Sequence, residues 1–480
     1  MTSHKASEIS EMKKNLSLWN YFTIGFGAII GSGWVLLVGD WMIIGGGPIA
    51  AMIAFFIGAV FLLPIGAVFG ELTAAIPISG GIVEYVDRTF GYNASYITGW
   101  FLALGNGILC PWEAIVISTL ISEMFGEFFP ILKAVKLYSI VGADVYLFPT
   151  LLTLGLTSYV IILNFKGAST AAKLQAFLTK ALLIGMILAM GISFVKGSPF
   201  NILPVFSPVE GAVSSTSAAN VFAGIVSVLV MAPFFYTGFD TIPQQAEESA
   251  EGLDWNKFGK IIGLVLLASG GFYMICIYSF GTIVPWTDFV KGTIPALACL
   301  KNISMPLYVV MLCIATLSPM GPMNSFFSAT ARIILAMGRK GQLSHAFARV
   351  SPKSGTPVTA NILLAVLTII GPFLGKKMLV PLTNVSALAF IFACTMVSFA
   401  CLRMRRIEPD LPRPYKVPGG KIGIGAACLA GSSLVGLMII PGSPAALKPV
   451  EWGIMLGWLV VGILLRLFHR LSRVTISYKH

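Results

Sequence analysis

AIIGSGWVLL, residues 28–37, sits inside an apolar run long enough to cross a lipid bilayer, yet Gly-Ser-Gly stands at its centre. Each Gly in a helix interior costs about 1 kcal/mol relative to Ala. In lipid, freed backbone groups must find partners or each costs several kcal/mol. Upstream, GFGAIIGSG (25–33) holds four glycines and one serine. Close helix packing accounts for Gly25 and Gly27, because small residues let helices approach. Three consecutive poor helix formers, Gly31, Ser32 and Gly33, point instead to a break in the helix.

Composition places that break in a membrane protein. The 480 residues are 56% hydrophobic and 11% charged, and mean hydropathy is +0.86. Soluble chains carry about 25% charged residues. About 20 apolar residues cross the roughly 30 Å hydrocarbon core. Twelve spans are expected, near 20–44, 48–75, 93–126, 145–164, 171–195, 219–245, 259–286, 303–336, 357–374, 378–402, 422–441 and 449–469. Residues 1–18 are polar and do not read as a cleavable signal peptide.

Basic residues set the expected orientation. With the N-terminus inside, Lys5, Lys13, Lys14, Arg88, Lys166, Lys173, Lys257, Lys260 and the clusters at 332–353, 403–421 and 466–479 are cytoplasmic. Far fewer lysines, among them Lys133, Lys136, Lys291, Lys376 and Lys377, fall on the other side. The net charge of +12 therefore reads as topology and attraction to anionic lipid. No compact basic domain is present to hold a nucleic acid. The seven cysteines mostly lie in apolar spans without CxxC spacing, and read as buried free thiols. His4, His345, His469 and His480 lie in tails, a loop or the end of the last span. No metal-ligand cluster, cofactor or enzymatic activity is expected.

The sixth span repeats the feature of the first. MAPFFYTGFD (231–240) holds Pro233, which removes a helix hydrogen bond, then Gly238 and the ionisable Asp240. Two interrupted helices five spans apart point to an inverted repeat with a binding site at the breaks. Broken ends expose free N–H groups at one end and free carbonyls at the other. A zwitterion suits both, with its carboxylate near Ser32 and Gly33 and its ammonium on carbonyls of the two breaks.

Five stretches, in order, resemble the amino acid–polyamine–organocation permeases: GFGAIIGSG; GELTAAIPISGG (70–81); FFYTGFD followed by AEES (234–249); ARIILAMGRKGQLSHAFARVSPKSGTPVTA (331–360); and RPYKVPGG (413–420). The resemblance implies an all-α polytopic membrane protein of the leucine-transporter type. Its twelve transmembrane helices comprise a 5+5 inverted repeat with helices 1 and 6 broken, plus two C-terminal helices. The implied organisation is a tail (1–18), a transport core (19–402, repeats about 19–195 and 219–402), a loop (403–420), two accessory helices (421–471) and a tail (472–480). This sequence departs from the family pattern at Trp34, where a smaller aliphatic is usual, and in AEGLDWNKFGK (250–260), where an arginine-rich run is usual.

Tyrosine and cysteine aside, four ionisable residues are read as lying well within spans: Glu71, Glu113, Lys180 and Asp240. Charge at mid-membrane costs roughly 2.5–3.5 kcal/mol on insertion scales, so each needs a partner or a task. Lys180, in AFLTKALLIGM, stands nine residues, or roughly 14 Å, from the inner end of its span, far for snorkelling. It resembles the fifth-span lysine that replaces a sodium ion between spans 1 and 8 in some members, with Ser318 as a candidate hydroxyl neighbour. Glu113, just after Pro111, reads either as a neutral buried carboxyl or as a proton carrier or counter-charge. Asp240 is expected to orient the sixth-span break. Glu71 is expected to be a structural partner for the loop at 77–88. Phe234 resembles the aromatic that caps the family's substrate. Phe235, Tyr236 and Phe239 read more plainly as packing against spans 1 and 3.

The candidate substrate residues are Ile30, Gly31, Ser32, Gly33, Phe234, Tyr236 and Gly238. The coupling candidates are Lys180, Ser318 and Glu113, and Trp34, Asp240 and Glu71 are structural or gating candidates. The expected protein is a proton-coupled, sodium-independent amino acid permease of the cell membrane, monomeric or homodimeric, with both termini cytoplasmic. An amine or polyamine carrier and an amino acid exchanger are the alternatives. A channel is disfavoured because the spans lack a continuous polar lining.

Overall fold

A computed structural model describes residues 17–78, 80–166, 168–208, 220–244, 246, 249, 251–352 and 354–477. Residues 1–16 of the expected N-terminal tail, the last three residues of the C-terminal tail, and Glu247 and Glu248 of AEES lie outside the described residues.

The apolar runs form helices. Among the described residues, eight of them are long and apolar enough to cross a membrane, from Pro48–Ala75 to Pro449–His469. A ninth span is the pair Leu18–Ile29 and Gly33–Gly45, bent by 59° at residues 30–32. Span 5 (Ala168–Lys196), the interrupted span 6 (Val221–Gln244) and the shorter span 9 (Val358–Phe373) complete the expected order.

Span 6 breaks where Pro233 and Gly238 foretell. Helix runs over Val221–Leu229 and Ala232–Tyr236, opens, and resumes at Thr241–Gln244. Span 8 is also interrupted, between Met305–Leu317 and Met320–Arg339, at Ser318 and Pro319. Proline at 319 cannot donate to the preceding turn, which explains this unforeseen joint.

Among the described residues outside the spans, one hairpin departs from all-α. Strands Lys136–Ile140 and Ala143–Tyr146 form an antiparallel hairpin before span 4. Gly142, with φ +74°, and Val141, with φ +50°, make the turn. Between spans 2 and 3, a surface helix (Gly81–Phe90) lies against the end of span 8, where Lys340 pairs with Glu84 at 2.7 Å and Asp87 at 2.6 Å.

Spans 2 and 7 (Phe258–Gly281) pack along each other. Their backbones almost touch at one point, since a Cβ on Gly70 would lie 2.4 Å from the Gly259 Cα. Tyr415, from the loop after span 10, covers this crossing and lies against Gly259. Spans 1, 2, 3, 6, 7, 8 and 10 all contribute to one buried core, and both breaks lie within it.

Candidate substrate site at the two breaks

The two breaks meet. A Cβ on Gly238 would lie 2.9 Å from the Ala28 carbonyl carbon and 2.9 Å from the Ile29 nitrogen. Gly238 also has φ +129°, a conformation L side chains rarely adopt. Only glycine satisfies both demands. Between them, the Tyr273 hydroxyl of span 7 lies 3.1 Å from the Ile29 oxygen and 3.0 Å from the Phe235 oxygen. One side chain thus serves carbonyls from both broken spans.

The halves differ at their N–H ends. In span 6 the Asp240 carboxylate turns back and accepts from the Gly238 amide at 3.1 Å. It also accepts from Gln244 at 2.9 Å and from Asn106 of span 3 at 3.0 Å. The lower half of span 6 is therefore capped from within by Asp240.

In span 1, Ile30 is extended (φ −87°, ψ 94°) and Ser32 precedes the second half-helix without a side-chain cap. Val35 is the first amide of that half to reach a backbone acceptor, the Ser32 oxygen. The amides of Ser32, Gly33 and Trp34 reach none among the described residues. Three successive free amides at a helix N-terminus form an anion receptor.

Two polar side chains face this receptor. Glu113, 3% exposed, places Oε1 3.4 Å from where a Cβ on Gly31 would stand. The Ser32 hydroxyl, fully buried, interacts with the Glu113 carboxyl. Neither Ser32 Oγ nor Glu113 Oε2, however, makes a hydrogen bond of good geometry. Such buried polar atoms are rare and point to a ligand or a transferable proton.

The walls are aromatic. A Cβ on Gly33 would lie 2.8 Å from the Trp112 ring and 3.6 Å from Phe235. Trp112 is fixed by its indole N–H, which donates to Thr383 at 3.0 Å and to the Leu379 carbonyl at 3.2 Å. Phe234 packs on Trp112, with ring centroids 5.1 Å apart. Pro322 of span 8 lies across from Gly31. Among the described residues no three His, Cys, Asp or Glu side chains gather to hold a metal ion.

Several sequence expectations need correction. Lys180 does not reach spans 1 and 8. It is exposed, on the same helical face as the exposed Phe177, Ile184 and Ile187, while Leu178, Leu182, Met186 and Ala189 form the buried face. Ser318 is buried, and its hydroxyl has the Ala315 carbonyl of its own helix at 3.5 Å.

Tyr236 points away from the break. Its hydroxyl donates to the Phe55 carbonyl of span 2 at 2.9 Å. Phe235 packs on Trp41, Phe55 and Tyr273, and Phe239 packs on Phe69 and Phe390. Spans 2, 7 and 10 thus take most of the contacts assigned to spans 1 and 3, because the break rotates the aromatic run. Trp34 is buried and stacks on Phe280 of span 7 at 5.3 Å.

Glu71 is a structural partner, but of a different loop. It accepts from Arg405 of span 10 at 2.8 and 2.5 Å and from the Val417 amide at 2.7 Å, with Arg413 at 3.4 Å. RPYKVPGG therefore supplies Arg413, Tyr415 and Val417 to a single clasp on spans 2 and 7. The reading of four membrane ionisable residues also omitted Asp40. It is 5% exposed in the second half of span 1, and Lys376 is its electrostatic partner. Its place seven residues beyond Gly33 was visible in the sequence. Tyr273, Trp112 and Asn106 were missed because no local pattern marks a residue that acts on another span's backbone.

Comparison with known proteins settles the family. The amino acid permease family profile matches residues 16–465. The chain belongs to that family. It is 24% identical over 426 residues to a branched-chain amino acid permease of Bacillus subtilis, covering 87% of this chain and 86% of that one. An aspartate–proton symporter of the same organism is 27% identical over 435 residues, 87% and 78% of the two chains. A methylthioribose transporter, also from that organism, is 25% identical over 465 residues, 95% and 94%. This permease is thus a multi-span membrane protein of a transporter family.

Proposed function

We propose that this permease is a secondary amino acid transporter that binds the substrate carboxylate on the free amides of Ser32, Gly33 and Trp34, works by alternating access, and couples uptake to protons through Glu113. The observation that carries the reading is the open N–H end of span 1, with Ser32 Oγ and Glu113 Oε2, neither holding a hydrogen bond of good geometry, beside it. A substrate carboxylate held there stands next to a second carboxyl group. Two carboxylates at such a distance repel strongly in a low-dielectric site. Proton and substrate therefore favour each other's binding, which is the thermodynamic requirement for symport.

Phe234 closes one side against Trp112, and Gly31, Gly33 and Gly238 admit the backbones and the ligand. Asp240 and Tyr273 hold the two half-helix pairs in register. Glu71 is assigned to the clasp and Trp34 to packing. Lys180 is assigned no coupling role. Among relatives, the aspartate–proton symporter supports proton coupling, and the branched-chain permease supports an apolar side chain against the aromatic wall. We place the chain in the cell membrane with both termini cytoplasmic.

One observation favours a second reading. Tyr273 already serves two of the carbonyls on which an ammonium would rest, so Glu113 is available as the acceptor for a cationic amine. Proteoliposomes decide. Symport predicts amino acid uptake driven by an inward proton gradient without sodium, and exchange of labelled for unlabelled substrate at equilibrium. Uptake that requires sodium and ignores pH refutes proton coupling, and uptake restricted to charged amines selects the second reading.

A further inference from the structure

Far from the breaks, spans 3 and 12 enclose a groove with its own chemistry. Trp100 of span 3 and Trp458 of span 12 stack at 4.3 Å, and each indole N–H donates to the other's carbonyl at 3.0 Å. Tyr96 donates to the Gly462 carbonyl at 2.7 Å. Gly462 is obligatory at this crossing, since a Cβ there would lie 2.4 Å from the Trp100 indole nitrogen. Beside the clamp the helices part and leave a cavity of about 390 Å³, lined by Ile97, Phe101, Leu459, Ile463 and Leu467. Ile97, Ile463 and Leu467 are exposed. The cavity is therefore continuous with the lipid-facing surface, where hydrocarbon is the only available filling.

Arg466 stands in the wall of this groove. Its guanidinium lies 4.6 Å from the Tyr96 ring centre and 5.4 Å from that of Tyr92, and it donates to the Asn93 side chain. Among the described residues it has no acidic partner. A planar cation is thus held in place by two aromatic rings and an amide, with its charge uncompensated. Such a group at a membrane interface recognises phosphate.

We infer that the groove between spans 3 and 12 binds one anionic phospholipid, its phosphate on Arg466 and an acyl chain against Ile97, Phe101 and Ile463. The basic character of this end of the bundle, where Lys340 and Arg405 also lie, places it in the leaflet that attracts anionic lipid. The Trp100–Trp458 clamp forms the inner limit of the chain's path. The lipid fastens span 12, whose outer face is largely uncovered by protein.

Native mass spectrometry of the full chain in detergent tests this, using equimolar phosphatidylglycerol and phosphatidylcholine with identical acyl chains. Wild type is expected to retain one phosphatidylglycerol about fivefold in preference, the factor corresponding to about 1 kcal/mol for one basic residue. Arg466→Gln should abolish the preference, Arg466→Lys should keep part of it, and Ile463→Trp, which fills the groove but leaves the cation, should release both lipids. Thermal unfolding in neutral detergent checks that each variant is folded. If Arg466→Gln unfolds, Ile463→Trp and Arg466→Lys still decide the outcome. Equal retention of the two lipids by wild type, an unchanged preference in folded Arg466→Gln, or a lipid-free dimer joined through span 12 would overturn the inference.

Discussion

The Gly238 backbone lies against that of Ile29, so that a Cβ added to Gly238 would stand 2.9 Å from the Ile29 nitrogen. This contact joins the break in span 6 to the break in span 1. The obstructing atoms are backbone, which cannot rotate away, and φ at Gly238 is +129°. Gly238→Ala therefore adds a clash to a backbone strain of about 1–3 kcal/mol. The variant is expected to insert normally and to lose at least tenfold in uptake. Quantitative immunoblotting of membranes alongside initial-rate uptake checks this, and near-normal transport would show that the breaks do not need to touch.

Tyr273 joins the same two breaks through its hydroxyl, shared between the Ile29 and Phe235 carbonyls. Removing it leaves the buried Phe235 carbonyl without this donor, at about 1–3 kcal/mol for a group left unsatisfied, while the Ile29 carbonyl keeps the Gly31 amide at 3.2 Å. Tyr273→Phe keeps the ring that packs on Phe55 and Trp41. The expected result is a lowered melting temperature and slowed uptake. Stability and rate equal to wild type would mean that the halves are held in register by other contacts.

On the surface, Glu84 and Lys340 hold the helix after span 2 to the end of span 8 at 2.7 Å. Burial raises the Glu84 pKa, but the Arg88 and Lys340 hydrogen bonds outweigh it and hold the carboxyl below its ordinary 4.5. Burial lowers that of Lys340, but Asp87 and Glu84 lift it above its ordinary 10.5. A depressed carboxyl stabilises the fold above its unfolded value and loses that effect as pH falls; a raised ammonium stabilises below its unfolded value and loses that effect as pH rises. The clamp is thus complete between 4.5 and 10.5. The melting-temperature gap between wild type and Lys340→Met should be constant across that window and narrow in more acid solution. A gap unchanged in acid would remove the ion pair as its cause.

What the sequence made legible follows from where each constraint acts. The breaks were readable because their cause is local: Gly31-Ser32-Gly33 and Pro233 with Gly238 weaken a helix wherever it lies. Glu113 and Asp240 stood out because charge in lipid demands an explanation. Side-chain direction was less legible. Lys180 is exposed and Tyr236 turns to span 2, because a side chain's face depends on how its helix is rotated in the bundle, which residue spacing alone does not fix. Tyr273 carried no signal, since its partners are backbone carbonyls on spans 1 and 6. Glu71 was recognised as structural, but its partners lie more than 300 positions away in sequence, beyond the reach of local pattern.

Glu113 and Lys180 separate the rival accounts of coupling. The Glu113 carboxyl lies beside Gly31 and Ser32 at the break in span 1, whereas the Lys180 ammonium shares an exposed face with Phe177 and Ile184. Glutamine at 113 keeps the shape and a donor but cannot take up or release a proton in the working pH range. Glu113→Gln should bind amino acid and exchange it across proteoliposomes, while net uptake loses its response to an imposed proton gradient. Lys180→Met should keep both activities within about twofold, since surface substitutions away from special features are typically worth no more than about 0.5 kcal/mol. Gradient-driven uptake that survives in Glu113→Gln and vanishes in Lys180→Met would reverse the assignment and put the coupling proton on span 5. Loss of charged-amine uptake alone in Glu113→Gln would instead make the carboxylate the counter-ion of a cationic substrate.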